Sequence, residues 1–275
     1  MQPISSPAFS ATPGSIPSDW LPPDWPAPAH VHALHTTRQG GCSAPPWDSF
    51  NLGRSVGDDP AAVEANWRAL ARAVAGAGEQ VRLPWLRQVH GTRVQVLDGN
   101  TPSGQEADAC MTRSRHVACT VMAADCLAVL LTDQEGSCVA AAHAGWRGLA
   151  GGVLEEVVAR LRATSPGSLA LMAWLGPCIG PTAFEVGPEV RQAFIAQDAQ
   201  ADRHFAPGAR PGKYLADLAA LARQHLVRAG VTALYGNDSS ADWCTVGAPL
   251  RFFSHRRDSV RLGSTGRMAA SIWMA

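Results

Sequence analysis

A long apolar run extends from about Val117 to Leu131, and Asp125 is the one charged residue that interrupts it. A membrane-spanning helix needs about 20 consecutive apolar residues, so this run is too short to cross a bilayer. Short apolar runs of this kind are typical of strands buried inside a folded protein. Further strands are predicted at the other apolar runs, which are Cys138 to His143, Leu169 to Leu175 and the stretches near Phe252 and Ile272.

Amphipathic patterns predict helices in four places. Pro60 suits the first position of a helix, and four large apolar residues then fall on one face before Gly76 ends the pattern: Val63, Trp67, Leu70 and Val74. The other helices are predicted at Val153 to Leu161, Gly187 to Phe194 and Tyr214 to Gly230. Strands and helices do not alternate strictly, which favours an α+β fold with a mixed central sheet over a doubly wound fold.

The length and composition fit one domain that builds its own core. The chain has 275 residues, of which 46% are hydrophobic and 17% charged, a balance typical of globular proteins. Residues 1–17, MQPISSPAFSATPGSIP, mix Pro, Ser and Gly with few large apolar groups, so we expect a disordered tail there. Residues 18–275 are expected to form a single catalytic domain.

Charge and cysteine content narrow the classes of function. Lys+Arg 23 and Asp+Glu 23 give a net charge of 0, so we expect neither a nucleic acid nor a membrane as partner. The single lysine, Lys213, is followed by Tyr214, which excludes a phosphate loop of the G-x-x-x-x-G-K-[ST] type. Seven cysteines, an odd number, without an apolar leader before them indicate a reducing, cytoplasmic setting.

Three short segments each carry a possible metal donor at the end of an apolar run. They are QVHG with His90, ADC with Cys126, and HAGW with His143. Two imidazoles and a thiolate suit Zn²⁺, and three protein ligands leave a fourth position for water, as in catalytic zinc sites. Such a water has a pKa of about 7 and is a nucleophile at neutral pH.

The same three residues admit two other interpretations. In one, His90 or His143 deprotonates Cys126, and the thiolate attacks an acyl carbon without a metal. In the other, the histidines are ordinary hydrogen-bonded residues and Cys126 is a core thiol, because separations of 36 and 17 residues (90 to 126 and 126 to 143) match no local zinc motif. The spacing alone leaves these alternatives open.

Six segments, in the same order, resemble the successive motifs of a known family. They are RQVHG, ADCLAVLLTD, AAHAGWRGLAGGVLEE, GPCIGPTAFEVG, FFSHRRD and TGRMAA. From about Asp24 to the C-terminus the chain is similar to the YfiH-like family, also called the multicopper polyphenol oxidase or laccase-domain family. Its bacterial members are described as purine nucleoside phosphorylases or peptidoglycan editing factors. Ala124 departs from the pattern, because many relatives have threonine there, and the Pro/Ser-rich leader has no counterpart.

The resemblance implies a layered α/β sandwich and a monomeric cytosolic enzyme. It implies that His90, Cys126 and His143 bind Zn²⁺ and act in catalysis. The reactions implied are phosphorolysis of adenosine, inosine and 5′-methylthioadenosine to base and ribose 1-phosphate, and deamination of adenosine. Purine nucleoside and phosphate are then the small-molecule partners. The alternative function is a Cys–His hydrolase that edits peptidoglycan precursors.

Four residues are candidates for substrate contacts, each with a structural alternative. Arg38 stands beside a glycine turn, where it grips phosphate or is a plain surface arginine. Asn51 hydrogen-bonds ribose or base, or is a turn residue beside glycine. Arg147 steers an anion or merely covers Trp146. Glu185 moves a proton or recognises the base, or serves as a structural cap.

Five arginines near the C-terminus form a locally basic patch: Arg251, Arg256, Arg257, Arg261 and Arg267. This patch is a candidate phosphate site. However, the order of aromatic and charged residues from Phe252 to Arg257 is more typical of a strand with one solvated face.

Copper is the second metal that these donors suit, as Cu²⁺ binds most such sites more tightly than Zn²⁺. A multicopper laccase needs several His-x-His pairs and a His-Cys-His run to build its copper centres. The chain has one such pair, His30-Val31-His32, and no His-Cys-His. We therefore rank copper-dependent phenol oxidation below nucleoside chemistry.

Overall fold

The structure is a computed structural model that describes residues 17–75, 80–164 and 170–275. Its strands, in chain order, are β1 Val31–His35, β2 Leu86–Arg87, β3 Val94–Leu97, β4 Gln105–Glu106, β5 Ala109–Thr112, β6 Cys119–Ala123, β7 Leu127–Asp133, β8 Val139–Ala144, β9 Leu171–Leu175, β10 Glu185–Val186, β11 Phe205–Pro207, β12 Tyr214–Ala216, β13 Ala233–Gly236 and β14 Met268–Met274. Its α-helices are α1 Pro60–Ala75, α2 Trp146–Ala150, α3 Val153–Ala163, α4 Pro188–Ile195, α5 Leu218–Arg228 and α6 His255–Leu262.

Two sheets pack against each other at the centre of the fold. The larger has the strand order β13-β9-β7-β8-β5-β3, with parallel pairs at both edges and antiparallel pairs between them. The smaller has the order β1-β14-β6 and is antiparallel throughout. Helices α3, α4 and α5 contribute to the core on the outer face of the larger sheet, and α1 packs on the smaller sheet. The predicted α+β fold, a layered sandwich with a mixed central sheet, is confirmed.

The side chains of β7 show why the long apolar run is needed. Leu127, Val129 and Leu131 point into the core shared with the helices, whereas Ala128 and Leu130 point into the core between the two sheets. Alternate residues of a strand face opposite sides of the sheet. A strand covered on both faces therefore needs an almost continuous apolar sequence.

Two predicted strands and one predicted helix require correction. The run from Val117 to Leu131 forms two strands, because Asp125 adopts a φ of 85° and the chain turns between β6 and β7. Near Phe252 the predicted strand is wrong: an irregular segment leads into α6, whose first turn is capped by the Ser254 hydroxyl. Tyr214 lies in β12 rather than in a helix, because α5 begins only after Asp217, which caps it.

The other predicted helices are confirmed as α1, α3 and α4. Three predictions concern residues outside the described part of the chain: the tail at 1–17, except Pro17, the helix end at Gly76, and Leu169 as the start of a strand. Across the described residues, none of the helices has both the length and the apolar character that crossing a membrane requires.

Candidate metal centre and substrate cavity

The fold brings His90, Cys126 and His143 together from three separate segments. His90 lies between β2 and β3, Cys126 lies in the turn before β7, and His143 lies in β8. β7 and β8 are paired with Ala128 opposite His143, which places Cys126 beside that histidine. One donor atom of each residue lies within 4.8 Å of the other two, and the Cys126 Sγ is 3.8 Å from His90 Nε2.

A buried carboxylate, Asp108, holds two of these three residues in place. Its Oδ1 accepts hydrogen bonds from the His143 Nδ1 at 2.9 Å and from the His90 backbone N–H at 2.8 Å. Its Oδ2 accepts from the backbone N–H groups of Gly91 at 2.6 Å and Val89 at 3.1 Å. Because Nδ1 of His143 donates to Asp108, its Nε2 is left as the lone-pair donor.

The same contacts explain the unusual backbone of His90, whose φ is 62°. This left-handed conformation costs an ordinary residue about 1–2 kcal/mol. Three successive N–H groups that converge on one carboxylate require such a curled loop, and their charge-assisted hydrogen bonds offset its cost. Asp108 thus stabilises the strained loop that carries His90.

The donor set fits a Zn²⁺ or Cu²⁺ ion. Zinc binds nitrogen at about 2.0 Å and sulfur at about 2.3 Å, so two such donors on one tetrahedral ion lie roughly 3.5 Å apart. The 3.8 Å between Cys126 Sγ and His90 Nε2 is close to that value. A metal-binding histidine usually donates the N–H of its other ring nitrogen to a carboxylate or carbonyl, as His143 does to Asp108. The cluster can therefore hold a metal through three donors.

Electrostatics favours a thiolate at Cys126. Burial is the largest influence on this thiol and raises its pKa, but the charge of His143 and hydrogen bonds with His143 and His90 together lower the pKa to about 6. Burial likewise lowers the pKa of His143, whereas the neighbouring Cys126 and the bond to Asp108 raise it to about 9. The thiolate is the form of cysteine that binds metals and attacks electrophiles.

A cavity of about 630 Å³ opens directly over the three donors. This volume suits a small-molecule ligand. One part of its wall is apolar and aromatic, formed by Trp85, Trp146, Ile179, Phe184 and Leu218. Four arginines also line it, namely Arg54, Arg87, Arg256 and Arg267. The cavity therefore offers flat faces for an aromatic ring and positive charge for an anion.

Asp125 connects the C-terminal part of the chain to the candidate metal centre. Its buried carboxylate accepts hydrogen bonds from the Thr245 hydroxyl at 2.5 Å, the Ser254 hydroxyl at 3.0 Å and the Arg256 backbone N–H at 2.6 Å. Its backbone carbonyl accepts from the Ile179 N–H. Since Asp125 directly precedes Cys126, this network fixes the start of α6 beside the thiolate.

The structure does not bring Arg38 or Asn51 to the cavity. Arg38 pairs with Asp48 at 3.1 Å, donates to the Pro249 carbonyl, and lines a different pocket. Asn51 is fully buried, and its Oδ1 accepts from the backbone N–H groups of Gly53 and Arg267. Asn51 thus connects the Gly53 loop to the segment before β14.

Arg147 and Glu185 likewise do not line the cavity. The Arg147 guanidinium lies 4.4 Å from the centre of a Trp146 ring, so it covers the outside of an aromatic residue that does line the cavity. The Glu185 carboxylate pairs with Arg210, and this partner lowers its pKa. A role of these two residues in substrate binding stays a prediction.

Sequence reasoning missed Asp108 and did not separate Arg256 and Arg267 from the other arginines of their patch. No sequence motif identifies Asp108 as a functional residue, because its partners His90 and His143 are distant from it in the sequence. Arg256 and Arg267 lie within the FFSHRRD and TGRMAA segments. Because a strand with one solvated face was predicted at the first segment, its arginines were interpreted as surface residues.

Comparisons with known proteins show which family and which solved structures this chain is similar to. A family model described as multi-copper polyphenol oxidoreductase laccase matches residues 32–275. A protein of Pseudomonas aeruginosa named purine nucleoside phosphorylase is 50% identical over 93% of this chain and 98% of its own. Escherichia coli purine nucleoside phosphorylase YfiH is 47% identical over 94% and 99%. The crystal structure of Neisseria meningitidis protein NMB0706 superposes with a TM-score of 0.81 at 45% identity, covering 94% of this chain and 99% of that one.

Proposed function

Since this chain belongs to the YfiH-like laccase-domain family, we propose that it is a zinc-dependent purine nucleoside phosphorylase that also deaminates adenosine. Its substrates are adenosine, inosine and 5′-methylthioadenosine, with phosphate as the second substrate. The observation that carries the proposal is the cluster of His90, Cys126 and His143 at the base of a cavity with aromatic and cationic walls.

The three donors are the residues that would hold the metal. Zn²⁺ bound by three protein ligands supplies a Lewis acid and a water molecule that ionises near neutral pH, which is the chemistry that deamination of a purine requires. Asp108 fixes the tautomer and the direction of the His143 imidazole through its side chain, and it holds the loop that carries His90 through the backbone N–H of that residue.

The cavity walls supply what phosphorolysis requires. Trp146 and Phe184 offer flat apolar faces against which a purine stacks. We expect the apolar part of the wall to limit the access of water to the ribose C1′, which would favour phosphate over water as nucleophile. The arginines on the wall favour an anionic second substrate.

One observation favours a second candidate, a Cys–His hydrolase that edits peptidoglycan precursors. Cys126 Sγ lies 3.8 Å from His90 Nε2, and the lowered pKa of the thiol gives a nucleophile at neutral pH without a metal. Such an enzyme is inactivated by iodoacetamide and is indifferent to chelators. A copper-dependent polyphenol oxidase is disfavoured, because residues 17–75, 80–164 and 170–275 contain one cluster of metal donors, this group of three, and several copper centres need more.

The deciding experiment incubates zinc-loaded and chelator-treated protein with adenosine and phosphate, followed by chromatography. Adenine reports phosphorolysis, inosine reports deamination, and hypoxanthine reports both. Cys126→Ala is expected to lose stoichiometric zinc and turnover together, whereas Cys42→Ala, which changes an exposed cysteine, keeps both. Full activity of a metal-free Cys126→Ala protein would reject the mechanism.

We further propose a cytoplasmic monomer in which residues 18–275 form the catalytic domain and small molecules are the partners. All seven cysteines are free thiols in the structure, which supports a reducing compartment. The net charge of 0 supports small molecules rather than nucleic acid as partners.

A further inference from the structure

The four arginines of the cavity wall differ in whether a carboxylate neutralises them. Arg54 pairs with Glu64 at 3.1 Å and stacks on Trp67 and Trp85. Arg87 pairs with Glu106. Each of these two guanidiniums already has its counter-ion within the protein, so neither needs an anionic ligand.

Arg256 and Arg267 contact backbone oxygens instead. The Arg256 Nη1 donates to the carbonyls of Glu185 at 3.0 Å and Ala183 at 3.4 Å. The Arg267 Nη1 donates to the carbonyls of Thr265 at 3.0 Å and Gly266 at 3.1 Å. Within the described residues, neither guanidinium forms an ion pair with a carboxylate. Both remain positively charged, since arginine is not deprotonated in proteins.

Both arginines are anchored through their backbones close to the metal centre. The Arg256 N–H donates to Asp125, the neighbour of Cys126. The Arg267 N–H donates to the Asn51 side chain. A Cβ at Gly53 would lie 2.8 Å from the Arg267 Cγ, so the glycine leaves the space that this side chain occupies. Two buried polar residues, Asp125 and Asn51, thus hold the backbone of Arg256 and Arg267 so that both side chains lie at the cavity.

Asp125 is an acid that lines the same cavity, but its carboxylate does not pair with the guanidinium of Arg256 or Arg267 as an anionic ligand would. Its oxygens are engaged by the Thr245 and Ser254 hydroxyls and by the Arg256 backbone N–H. Partial burial, the largest influence, lowers the pKa of Arg267, while Cys126 and Asp125 raise it. The side chains of Arg256 and Arg267 therefore keep donors available toward the cavity.

We propose that Arg256 and Arg267 form the subsite for inorganic phosphate, the second substrate of phosphorolysis. This inference rests on the proposed function and assigns the phosphate to one part of the cavity wall. Two guanidiniums match the oxygens of a phosphate dianion, because each presents paired donors to paired acceptors. Arg38, which lies in another pocket and is neutralised by Asp48, has no part in this subsite.

The reaction at this subsite balances without a further reactant. An oxygen of HPO₄²⁻ forms a bond to C1′ of the ribose, and the bond from C1′ to the purine nitrogen breaks. The electron pair of that bond leaves with the purine, which takes up the proton that phosphate releases. The arginines hold the phosphate and its charge in position and are unchanged.

The test compares Arg256→Gln and Arg267→Gln with Arg261→Gln, an exposed arginine of the same patch outside this cavity. Titration calorimetry of the zinc-loaded proteins with inorganic phosphate, without nucleoside, measures the Kd directly. We expect the Kd and the KM for phosphate to rise roughly ten- to a hundredfold in the first two variants, as for loss of a hydrogen bond to a charged group. The phosphate Kd, the KM for nucleoside and the deamination of adenosine, which uses no phosphate, stay within about threefold in Arg261→Gln.

Three outcomes would overturn the subsite: no phosphate binding by the wild-type protein, an unchanged phosphate Kd in both variants, or an equal loss in Arg261→Gln. Arg267→Lys, which keeps the charge but loses the paired donors, guards against a folding defect and should give an intermediate Kd. The binding measurement is independent of turnover. A wild-type protein that binds phosphate through these arginines but leaves nucleosides intact would refute the proposed function and keep the subsite.

Discussion

Asp108→Asn tests how the proposed metal centre is held, because the substitution replaces one carboxylate oxygen of a fully buried side chain by an amide nitrogen. The carboxylate accepts two hydrogen bonds on each oxygen: from His90 and His143 on Oδ1, and from Val89 and Gly91 on Oδ2. An amide keeps one oxygen and presents N–H to the other pair of donors. Whichever way it turns, two donors lose their acceptor.

The expected magnitudes follow from this count. A buried donor without an acceptor costs about 1–3 kcal/mol, so two cost about 2–6 kcal/mol of the free energy of unfolding. We expect the lower part of this range, about 2–3 kcal/mol, because Val89 and His90 are exposed to water that replaces part of the loss. Zinc affinity should fall about 10- to 100-fold, as for loss of a carboxylate behind a histidine ligand.

Two assays measure these effects separately. Chemical denaturation of the metal-free protein gives the change in stability, and competition with a chromophoric chelator gives the zinc Kd. The matched control is Asp133→Asn, which also changes a buried carboxylate with local hydrogen bonds, to the Ser137 N–H and hydroxyl. Asp133 lies at the far end of β7, about 20 Å along the strand from Leu127. Asp133→Asn should lose stability but not zinc affinity; an equal zinc Kd in wild type and Asp108→Asn would refute the reasoning.

Two further predictions concern the metal donors and stability against pH. Gly145→Ala places a Cβ 2.9 Å from both Cys126 Sγ and His90 Cδ2 at an ordinary φ of −66°, so the zinc Kd should rise tenfold or more. Gly99→Ala, with no atom within 4 Å of the added Cβ, should leave it unchanged, and equal effects would contradict the steric argument. Burial, the main cause, lowers the pKa of His35 to about 4 from 6.5, so the unfolded chain binds the proton first as pH falls. Stability should drop by about 3 kcal/mol between pH 6.5 and 4, and a wild-type denaturation profile no steeper than that of His35→Asn would contradict this.

The sequence predicts those parts of the fold that depend on periodicity. Leu127 to Leu131 alternate between two cores, and the stripe of Val63, Trp67, Leu70 and Val74 packs on the smaller sheet. The apolar pattern was therefore sufficient to predict extended structure in this run and the helix α1, but not the turn at Asp125 that divides the run into β6 and β7. Near Phe252 the pattern failed. The rings of Phe252 and Phe253 are buried, but the segment is not a strand. The Ser254 cap, and not the apolar pattern, determines that a helix follows.

At the site, the sequence identified donors but not their surroundings. His90, Cys126 and His143 each stand in a separate segment, and the structure brings them together. Whether an arginine is available to a ligand depends on the residues that its guanidinium contacts in the folded protein. Short sequence motifs do not contain this information. Arg38 pairs with Asp48 and donates to the Pro249 carbonyl, whereas the Arg267 guanidinium donates to the nearby carbonyls of Thr265 and Gly266. The charge that is left unpaired is a property of the assembled fold.

The position of β14 has a consequence for how the chain folds during synthesis. β14 is the middle strand of the smaller sheet, and it pairs with β1 on one side and β6 on the other. In a growing nascent chain, β1 and β6 therefore present open edges until residues 268–274 leave the ribosome, and open edges invite mispairing. Arg267 emerges immediately before that strand. The smaller sheet would thus be completed at the same stage at which Arg267 emerges, and a chain truncated before residue 267 would lack both the middle strand and this arginine.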